Sequence, residues 1–169
     1  GIHSLKRAGI FVSVGVLEDE AKKTNEMFCK YITSGLPFVT LKAAVTLDGK
    51  IATSKGDSLW VTGEIARNYV QKLRFFHDAI MVGIKTVLID DPQLTCRLPG
   101  KHKKAFSRII VDSKGRIPLK ARVLTEENNH NTIVAVTEKI LKKKQTTLKA
   151  RGVEVIITES KNGRVNIPH

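Results

Sequence analysis

The strongest constraint on the fold is an alternation of apolar runs with one helical repeat between residues 39 and 97. The first run, residues 39–45, is rich in β-branched residues and is followed by Asp48-Gly49, a pair typical of turns. A helical repeat follows, and a second apolar run occupies residues 79–82. A strand, a helix and a second strand in this order predict a βαβ unit, in which ligands bind beyond the carboxyl ends of the strands.

The remaining predicted elements continue the same rhythm. A short strand at residues 10–16 and a helix at 17–31 precede the unit. A helical turn at 84–88 comes directly after its second strand. Three further strands, at 108–112, 131–136 and 153–157, and one helix, at 141–149, follow it. The first strand of the main domain is expected at residues 38–45, and Thr62 is expected to cap the helix of the unit. That helix should bury one apolar stripe, formed by Ile65, Tyr69, Val70 and Leu73. Connections of this length predict an α/β fold with a mostly parallel central sheet and helices on both faces.

The composition fits a globular domain in a reducing compartment. The chain has 169 residues, of which 41% are hydrophobic, enough for one domain with a sizeable core. No apolar run approaches the ~20 residues that a membrane span needs. Its two cysteines, Cys29 and Cys96, lie far apart and outside any metal-binding spacing. We therefore expect a cytoplasmic chain without a metal site.

The positive charge is concentrated in the second part of the chain. Residues 1–98 carry 13 Lys and Arg against 10 Asp and Glu, whereas residues 99–169 carry 16 against 6. A basic region of this kind can bind nucleic acid, attract anionic small molecules or only keep the surface solvated. The basic runs at 101–104 and 142–144 contain no aromatic side chains for stacking on bases. Phosphorylated ligands or solubility are therefore favoured over nucleic acid.

Six short segments resemble, in order and at similar spacing, the reductase domain of the bifunctional riboflavin-biosynthesis deaminase/reductase family. They are Leu41-Lys42 with Leu47-Asp48-Gly49-Lys50-Ile51-Ala52, Ser58 with Trp60-Val61-Thr62, Leu73-Arg74, Thr86-Val87-Leu88 with Asp90-Asp91-Pro92, Leu94-Thr95 with Arg97, and Val111-Asp112-Ser113. The resemblance implies a dihydrofolate-reductase-like fold and NADPH as the hydride donor. It also implies reduction of 5-amino-6-(5-phosphoribosylamino)uracil to its ribitylamino product.

The same resemblance implies a domain organisation. Residues 1–36 resemble the tail of the deaminase domain and a linker, and residues 37–169 resemble the reductase domain. The zinc signature of the deaminase is absent from the sequence, so deamination is not expected of this chain. A zinc-dependent deaminase domain is expected to precede it in the parent protein, and the family habit is a homodimer.

Nine site residues are carried over from the family. Those expected to bind the cofactor are Ala44, Trp60, Thr86, Asp90 and Ser113. Those expected to bind the substrate are Ser58, Arg74, Leu94 and Arg97. No general acid is indicated by the sequence. Several of these residues also have a purely structural interpretation. Asp90 and Asp91 could form a turn, the two arginines could lie on the solvated surface, and Trp60 could belong to the core or to a lid.

The proline after Asp91 is expected to extend that residue's backbone, so that the carboxylates of Asp90 and Asp91 diverge. Lys50 fits a turn better than a catalytic base, because it directly follows the predicted Asp48-Gly49 corner.

One part of the family pattern has no counterpart in the sequence. The family carries a later strand that ends in a glutamate and a glycine-rich turn, which holds the cofactor diphosphate. Gly152 and Gly163 are isolated, so the chain is expected to be a fragment truncated at the C-terminus of the reductase domain. Two alternatives stay open: another dihydrofolate-reductase-like reductase with a pteridine substrate, or a non-catalytic basic binding or dimerisation fragment.

Overall fold

The chain divides into two compact units, Gly1–Ser58 and Leu59–His169. The structure is a computed structural model that describes residues 1–58, 61–98, 105–125 and 131–167. The expectations for Trp60 and for the basic run at 101–104 fall outside these residues. Among the residues that the structure describes, no helix combines the length and apolar character that a membrane span requires.

The first unit contains helices and turns but no strand. Its helices are α1 (Ile2–Arg7), α2 (Glu18–Thr24) and α3 (Glu26–Ser34), and Asn25 separates the last two within the predicted helix 17–31. The predicted strands at 10–16 and 38–45 are both wrong, since neither segment pairs with another strand.

The failure of the predicted strand at 38–45 has a physical cause. The segment has the β-branched, apolar composition of a buried strand, yet Leu41 is 93% exposed. A strand is stable only when a neighbouring strand accepts and donates its backbone hydrogen bonds. The first unit offers no such neighbour, so composition alone does not make the segment a strand.

The second unit is built on a four-stranded parallel sheet. Its strands are β1 (Ala79–Gly83), β2 (Ser107–Val111), β3 (Thr132–Thr137) and β4 (Glu154–Thr158), in the order β1-β2-β3-β4. The register aligns Gly83 with Val111 and Val111 with Ala135, so neighbouring strands end at the same edge. The four predicted strands from residue 79 onward and the parallel sheet are therefore confirmed.

Helices connect the strands in sequence. They are α4 (Glu64–Phe76), which leads into β1, α5 (Ile84–Asp90), which follows it directly, α6 (Arg122–Thr125) before β3, and α7 (Lys142–Ala150) between β3 and β4. A two-stranded hairpin of β5 (Ser160–Lys161) and β6 (Arg164–Val165) follows β4. Neither α6 nor the hairpin was predicted.

The core lies on one face of the sheet. Ile110, Val134 and Val155 align across β2, β3 and β4 and are buried together. Helices α5 and α7 and the segment 117–124 cover this face, and Leu148 of α7 is fully buried. The opposite face is partly exposed, as Met81 and Ile156 show.

Helix α4 differs from its predicted packing. Gly63, rather than Thr62, occupies the cap position, and no side chain bonds the first free N–H groups. Val70 and Leu73 are half-buried as expected, whereas Ile65 is 88% exposed. The prediction of one apolar stripe is wrong at Ile65 and Tyr69, because the helix presents mainly its second half to the rest of the unit.

Leu148 and Leu141 form a matched test of the core, since they belong to the same segment and differ in burial. Leu148 is fully buried and Leu141 is 76% exposed. We expect Leu148→Ala to lower the free energy of unfolding by about 2–5 kcal/mol, the usual loss for a buried leucine. Leu141→Ala should change it by less than about 0.5 kcal/mol. Urea denaturation followed by circular dichroism measures both, and similar losses would contradict the assignment of α7 to the core.

Candidate functional site

Two arginines predicted to bind substrate meet beside helix α4. Arg74 of α4 donates from Nη1 to the carbonyl oxygen of Thr95 at 2.7 Å. The backbone N–H of Arg97 donates to the Oε1 atom of Gln71, one turn earlier on the same helix, at 2.9 Å. The structure therefore brings Arg74 and Arg97 together, and their predicted role in substrate binding stays a prediction.

The two guanidinium groups repel each other electrostatically. Burial lowers the pKa of Arg74, and the positive charge of Arg97 lowers it further. The Nε atom of Arg74 is buried and has no hydrogen-bond partner. Within the described ranges of the chain, neither arginine forms an ion pair with a carboxylate. An anion placed between them would supply the missing acceptor and the missing negative charge.

Leu94 holds this arginine segment against the fold. Its side chain is only 4% exposed and belongs to the core, and its backbone lies in the left-handed region with φ of 53°. That conformation is unfavourable for a leucine, so packing must compensate for it. Leu94 therefore anchors the segment that carries Arg97, and its predicted contact with the substrate stays a prediction.

Thr86 and Asp90 share one face of α5, because they are four residues apart on the helix. Thr86 is half-buried and Asp90 is exposed. Asp91 accepts a hydrogen bond from the N–H of Arg122 at 2.8 Å and so caps α6. The prediction of an extended Asp91 is wrong, since its φ is 38°; the left-handed conformation equally avoids the helical region that Pro92 disfavours.

Ser113 lies just beyond the carboxyl end of β2 and connects three elements. Its carbonyl oxygen accepts hydrogen bonds from the N–H and the hydroxyl of Thr137, at 3.2 and 2.6 Å. Its Oγ atom accepts the N–H of Val165 in β6 at 3.0 Å, which leaves the hydroxyl proton available to donate. Sequence position alone did not reveal these links to β3 and β6.

The turn after β2 depends on a buried carboxylate. Asp112 is fully buried and accepts the N–H of Ile117 on Oδ2 at 2.7 Å. Its Oδ1 atom has no hydrogen-bond partner, and Arg116 approaches it only to 3.9 Å. Gly115, with φ of 66°, closes the turn through its N–H and the carbonyl oxygen of Asp112 at 3.0 Å. Ser113 is therefore fixed by the backbone on both sides.

In the first unit, Thr46, Asp48 and Lys50 form a closed turn. The N–H of Thr46 donates to the carbonyl oxygen of Lys50 at 2.8 Å, and Gly49 has φ of 79°. Lys50 pairs with Asp48 at 2.7 Å. These contacts account for the lysine as part of the turn. Ala44 is half-buried and Ser58 is exposed, and their predicted roles stay predictions.

A comparison with protein families identifies the origin of these features. The model of the RibD C-terminal domain matches residues 37–169. The chain belongs to the RibD C-terminal domain family. The structural neighbours of this RibD C-terminal domain share its α/β architecture, which confirms the predicted dihydrofolate-reductase-like fold class.

Curated and solved relatives agree with this assignment. The chain is 44% identical over 168 residues to the riboflavin biosynthesis protein RibD of Bacillus amyloliquefaciens, covering 99% of this chain and 44% of that protein. A RibD structure from Acinetobacter baumannii superposes with a TM-score of 0.75 at 37% identity, covering 95% of this chain and 43% of that one. The chain thus spans less than half the length of these relatives.

A third relative carries a more detailed name. A diaminohydroxyphosphoribosylaminopyrimidine deaminase/5-amino-6-(5-phosphoribosylamino)uracil reductase from Thermotoga maritima superposes with a TM-score of 0.68 at 36% identity. The match covers 96% of this chain and 50% of that protein. The predicted family resemblance is therefore confirmed, while the boundary between residues 36 and 37 stays a prediction.

Gln71 escaped the sequence analysis of this site, and Asp112 entered it only as part of the Val111-Asp112-Ser113 segment. Gln71 holds Arg97 through its side chain and accepts the thiol of Cys96 on its carbonyl oxygen at 3.4 Å. Asp112 organises the turn that presents Ser113. Gln71 gave no detectable signal, but a lone carboxylate at the end of an apolar strand marks a buried turn acceptor.

Gly115→Ala tests whether the turn after β2 is as tightly fixed as it looks. An added Cβ would lie 2.8 Å from Cγ1 of Ile140, in addition to the strain of the positive φ. We expect a loss of roughly 2–5 kcal/mol in unfolding free energy, from the left-handed conformation and the overlap together. Gly163→Ala, with a similar φ but only the ammonium of Lys139 nearby, is the control and should lose less. Equal losses would show that Ile140 does not confine the turn.

Asp48 offers a test by titration. Lys50, and after it Thr46, hold the pKa of the Asp48 carboxyl below its usual range. The contribution of this turn to stability is therefore complete above the usual aspartate pKa and is lost as the pH falls through the lowered one. We expect Lys50→Ala to raise the pKa of Asp48, as followed by NMR of the carboxyl carbon, and Lys55→Ala to leave it unchanged. An unshifted Asp48 in the Lys50 variant would contradict the ion pair.

Proposed function

We propose that this chain is a reductase domain that acts on 5-amino-6-(5-phosphoribosylamino)uracil in riboflavin biosynthesis and uses NADPH. The proposal is supported by membership of the RibD C-terminal domain family and by the activity for which the Thermotoga maritima relative is named. The observation that carries it is that Arg74 and Arg97 lie close together and form no ion pair among the described residues, because a phosphorylated substrate needs such a cationic site.

The arginine couple would bind the phosphate of the substrate. Arg74 is held by the Thr95 carbonyl, and its buried Nε keeps a free donor. Arg97 is exposed and can complete the site from the solvent side. A dianionic phosphate would offset both the burial of Arg74 and the repulsion between the two guanidinium groups. Binding energy at the phosphate would then orient the distant ribosylamino group for reduction.

The cofactor residues suit the uncharged part of a nicotinamide nucleotide. Thr86 and Asp90 present a hydroxyl and a carboxylate from one face of α5, and Ser113 presents a free hydroxyl proton. Amide and ribose hydroxyl groups are good partners for this set, whereas a phosphate would be repelled by Asp90. When bound, NADPH supplies the hydride that converts the ribosylamino group to the ribitylamino form.

The other cofactor and substrate assignments are proposals of the same kind. Ala44 would contribute backbone atoms to the nicotinamide amide group, Trp60 would cover the ring, and Ser58 would bond the substrate. Leu94 would take part only through its backbone, since its side chain is buried in the core. None of these requires a charge, so they would serve orientation rather than proton transfer.

The surroundings of the domain are proposed from its relatives. We infer that a zinc-dependent deaminase domain precedes this chain in the parent protein and that the protein is a homodimer. Both cysteines, Cys29 and Cys96, are free thiols, which favours the reducing cytoplasm.

Arg97→Ala tests the function and the phosphate site together. The full-length parent protein should oxidise NADPH when given the phosphorylated substrate, whereas this chain alone is expected to be inactive without the glycine-rich turn. The variant should lose about 1.5–3 kcal/mol in kcat/KM, or one to two decades, because a charged hydrogen-bond partner is removed. The KM for NADPH should stay unchanged.

Two controls sharpen this test. Lys72→Ala removes an exposed charge from α4, the helix that carries Arg74, and should have no effect. The dephosphorylated substrate should be reduced equally by the wild type and by Arg97→Ala. Equal loss with both substrates would refute the phosphate role, and an absence of NADPH oxidation by the full-length wild-type parent would refute the function itself.

A further inference from the structure

The β5–β6 hairpin places like charges against each other. Its register pairs Lys161 directly with Arg164 across two strands of two residues each. Asn162 and Gly163 form the connecting turn, both with positive φ, as a tight two-residue hairpin requires. Directly opposed like charges destabilise a hairpin. This arrangement is thus unfavourable for folding and needs another explanation.

A third cation approaches the same turn. The Nζ atom of Lys139 lies 3.6 Å from the position that a Cβ on Gly163 would take. Within the described part of the chain, none of the three cations forms an ion pair, and the neighbouring Glu138 and Glu159 form none either. Lys139, Lys161 and Arg164 are all exposed, so an anion can reach them. We call these three residues the hairpin cluster.

The hairpin cluster lies next to the proposed cofactor site. The N–H of Val165 in β6 donates to the Oγ atom of Ser113, which directly follows the end of β2. β6 also packs against β3, so the hairpin folds back over the carboxyl edge of the sheet. An open depression on it is lined entirely by residues between Lys161 and Ile167. Ligands of open parallel sheets bind at this edge.

We propose that the hairpin cluster binds the 2′-phosphate of the adenosine half of NADPH and thereby selects NADPH over NADH. This inference rests on the proposed function for the identity of the cofactor. A phosphate monoester carries close to two negative charges, which matches a small group of cations around one turn. The hydroxyl of Ser113 would then contact an uncharged part of the dinucleotide, and the cations beyond it would contact its 2′-phosphate. A nucleic acid would need a longer cationic track with aromatic side chains for stacking, which the hairpin does not offer.

Direct binding of nucleotide fragments tests the proposal without any turnover. Isothermal titration of the full protein would compare adenosine 2′,5′-bisphosphate, ADP and 5′-AMP. The 2′,5′-bisphosphate should bind the wild type more tightly than ADP, although the two carry similar charge. The double variant Lys161→Ala/Arg164→Ala should weaken the 2′,5′-bisphosphate by on the order of tenfold and leave 5′-AMP unchanged. Added salt should reduce the difference.

A matched control removes two charges elsewhere. Lys143→Ala/Lys149→Ala lowers the net charge equally on α7, where both lysines are exposed, and should not change the binding of any fragment. Circular dichroism checks that both double variants stay folded. Arg164→Lys keeps the charge and should retain most of the preference.

The outcomes separate this proposal from the proposed function. Equal binding of the 2′,5′-bisphosphate and ADP by the wild type, or no change in the hairpin variant, would overturn the hairpin assignment. In the reductase assay, the hairpin variant should lose its preference for NADPH over NADH while turnover with saturating cofactor persists. A protein that binds the 2′,5′-bisphosphate through the hairpin but reduces no pyrimidine would instead overturn the proposed function alone.

Discussion

Parallel pairing of β1 to β4 brings the ends of neighbouring strands to one edge of the sheet, and α5 with Thr86 and Asp90 and the turn with Ser113 both start from that edge. The register from Gly83 through Val111 to Ala135 sets the starting points of α5, of the Asp112 turn and of the loop that carries Lys139. Because the backbone hydrogen bonds between the strands fix these starting points, the strand pairing also determines where Thr86 and Ser113 are placed. A slip of one residue would exchange the buried and exposed faces of the strand and displace both groups.

The turn at this edge of the sheet is held by Asp112, whose carboxylate is fully buried at a cost in free energy. A fully buried carboxylate is unfavourable unless hydrogen bonds and charges compensate for it. Here the N–H of Ile117 donates one hydrogen bond to Asp112, and Lys144 donates to the carbonyl oxygen of Ile117. Burial lowers the pKa of Lys144, and the negative charge of Asp112 partly offsets this effect. The unpartnered Oδ1 atom leaves this network incomplete. The turn is therefore held by directional bonds rather than by apolar packing alone, which suits a position that must present Ser113 reproducibly.

The sequence predicted those strands whose apolar pattern also matches their pairing in the sheet. Strands β1 to β4 are consecutive along the chain and each pairs with the next, so local pattern and tertiary pairing agree. Residues 38–45 carry the same apolar pattern, yet no strand lies beside them in the first unit. The hairpin was missed although Asn162-Gly163 is a strong turn signal, because its strands are only two residues long. At the site, Arg74 and Arg97 were carried over from the family resemblance, whereas Gln71, which holds Arg97, has no distinctive chemistry and was found only through its contacts.

The cationic groups of the second unit are separated as two different phosphorylated ligands would require. Arg74 and Arg97 repel each other beside α4, the hairpin cluster repels itself beside β6, and Asp90 stands on α5 without a cationic partner among the described residues. Folding alone gains nothing from two unneutralised cationic groups, since like charges in proximity reduce stability. The presence of two such cationic groups, one beside α4 and one beside β6, is explained if one anion binds to each group. A carboxylate such as Asp90 then excludes phosphate from its own surroundings and leaves that part of α5 to uncharged polar groups. The substrate phosphate and the cofactor phosphate would thus be kept at separate positions, which prevents either ligand from binding in the place of the other.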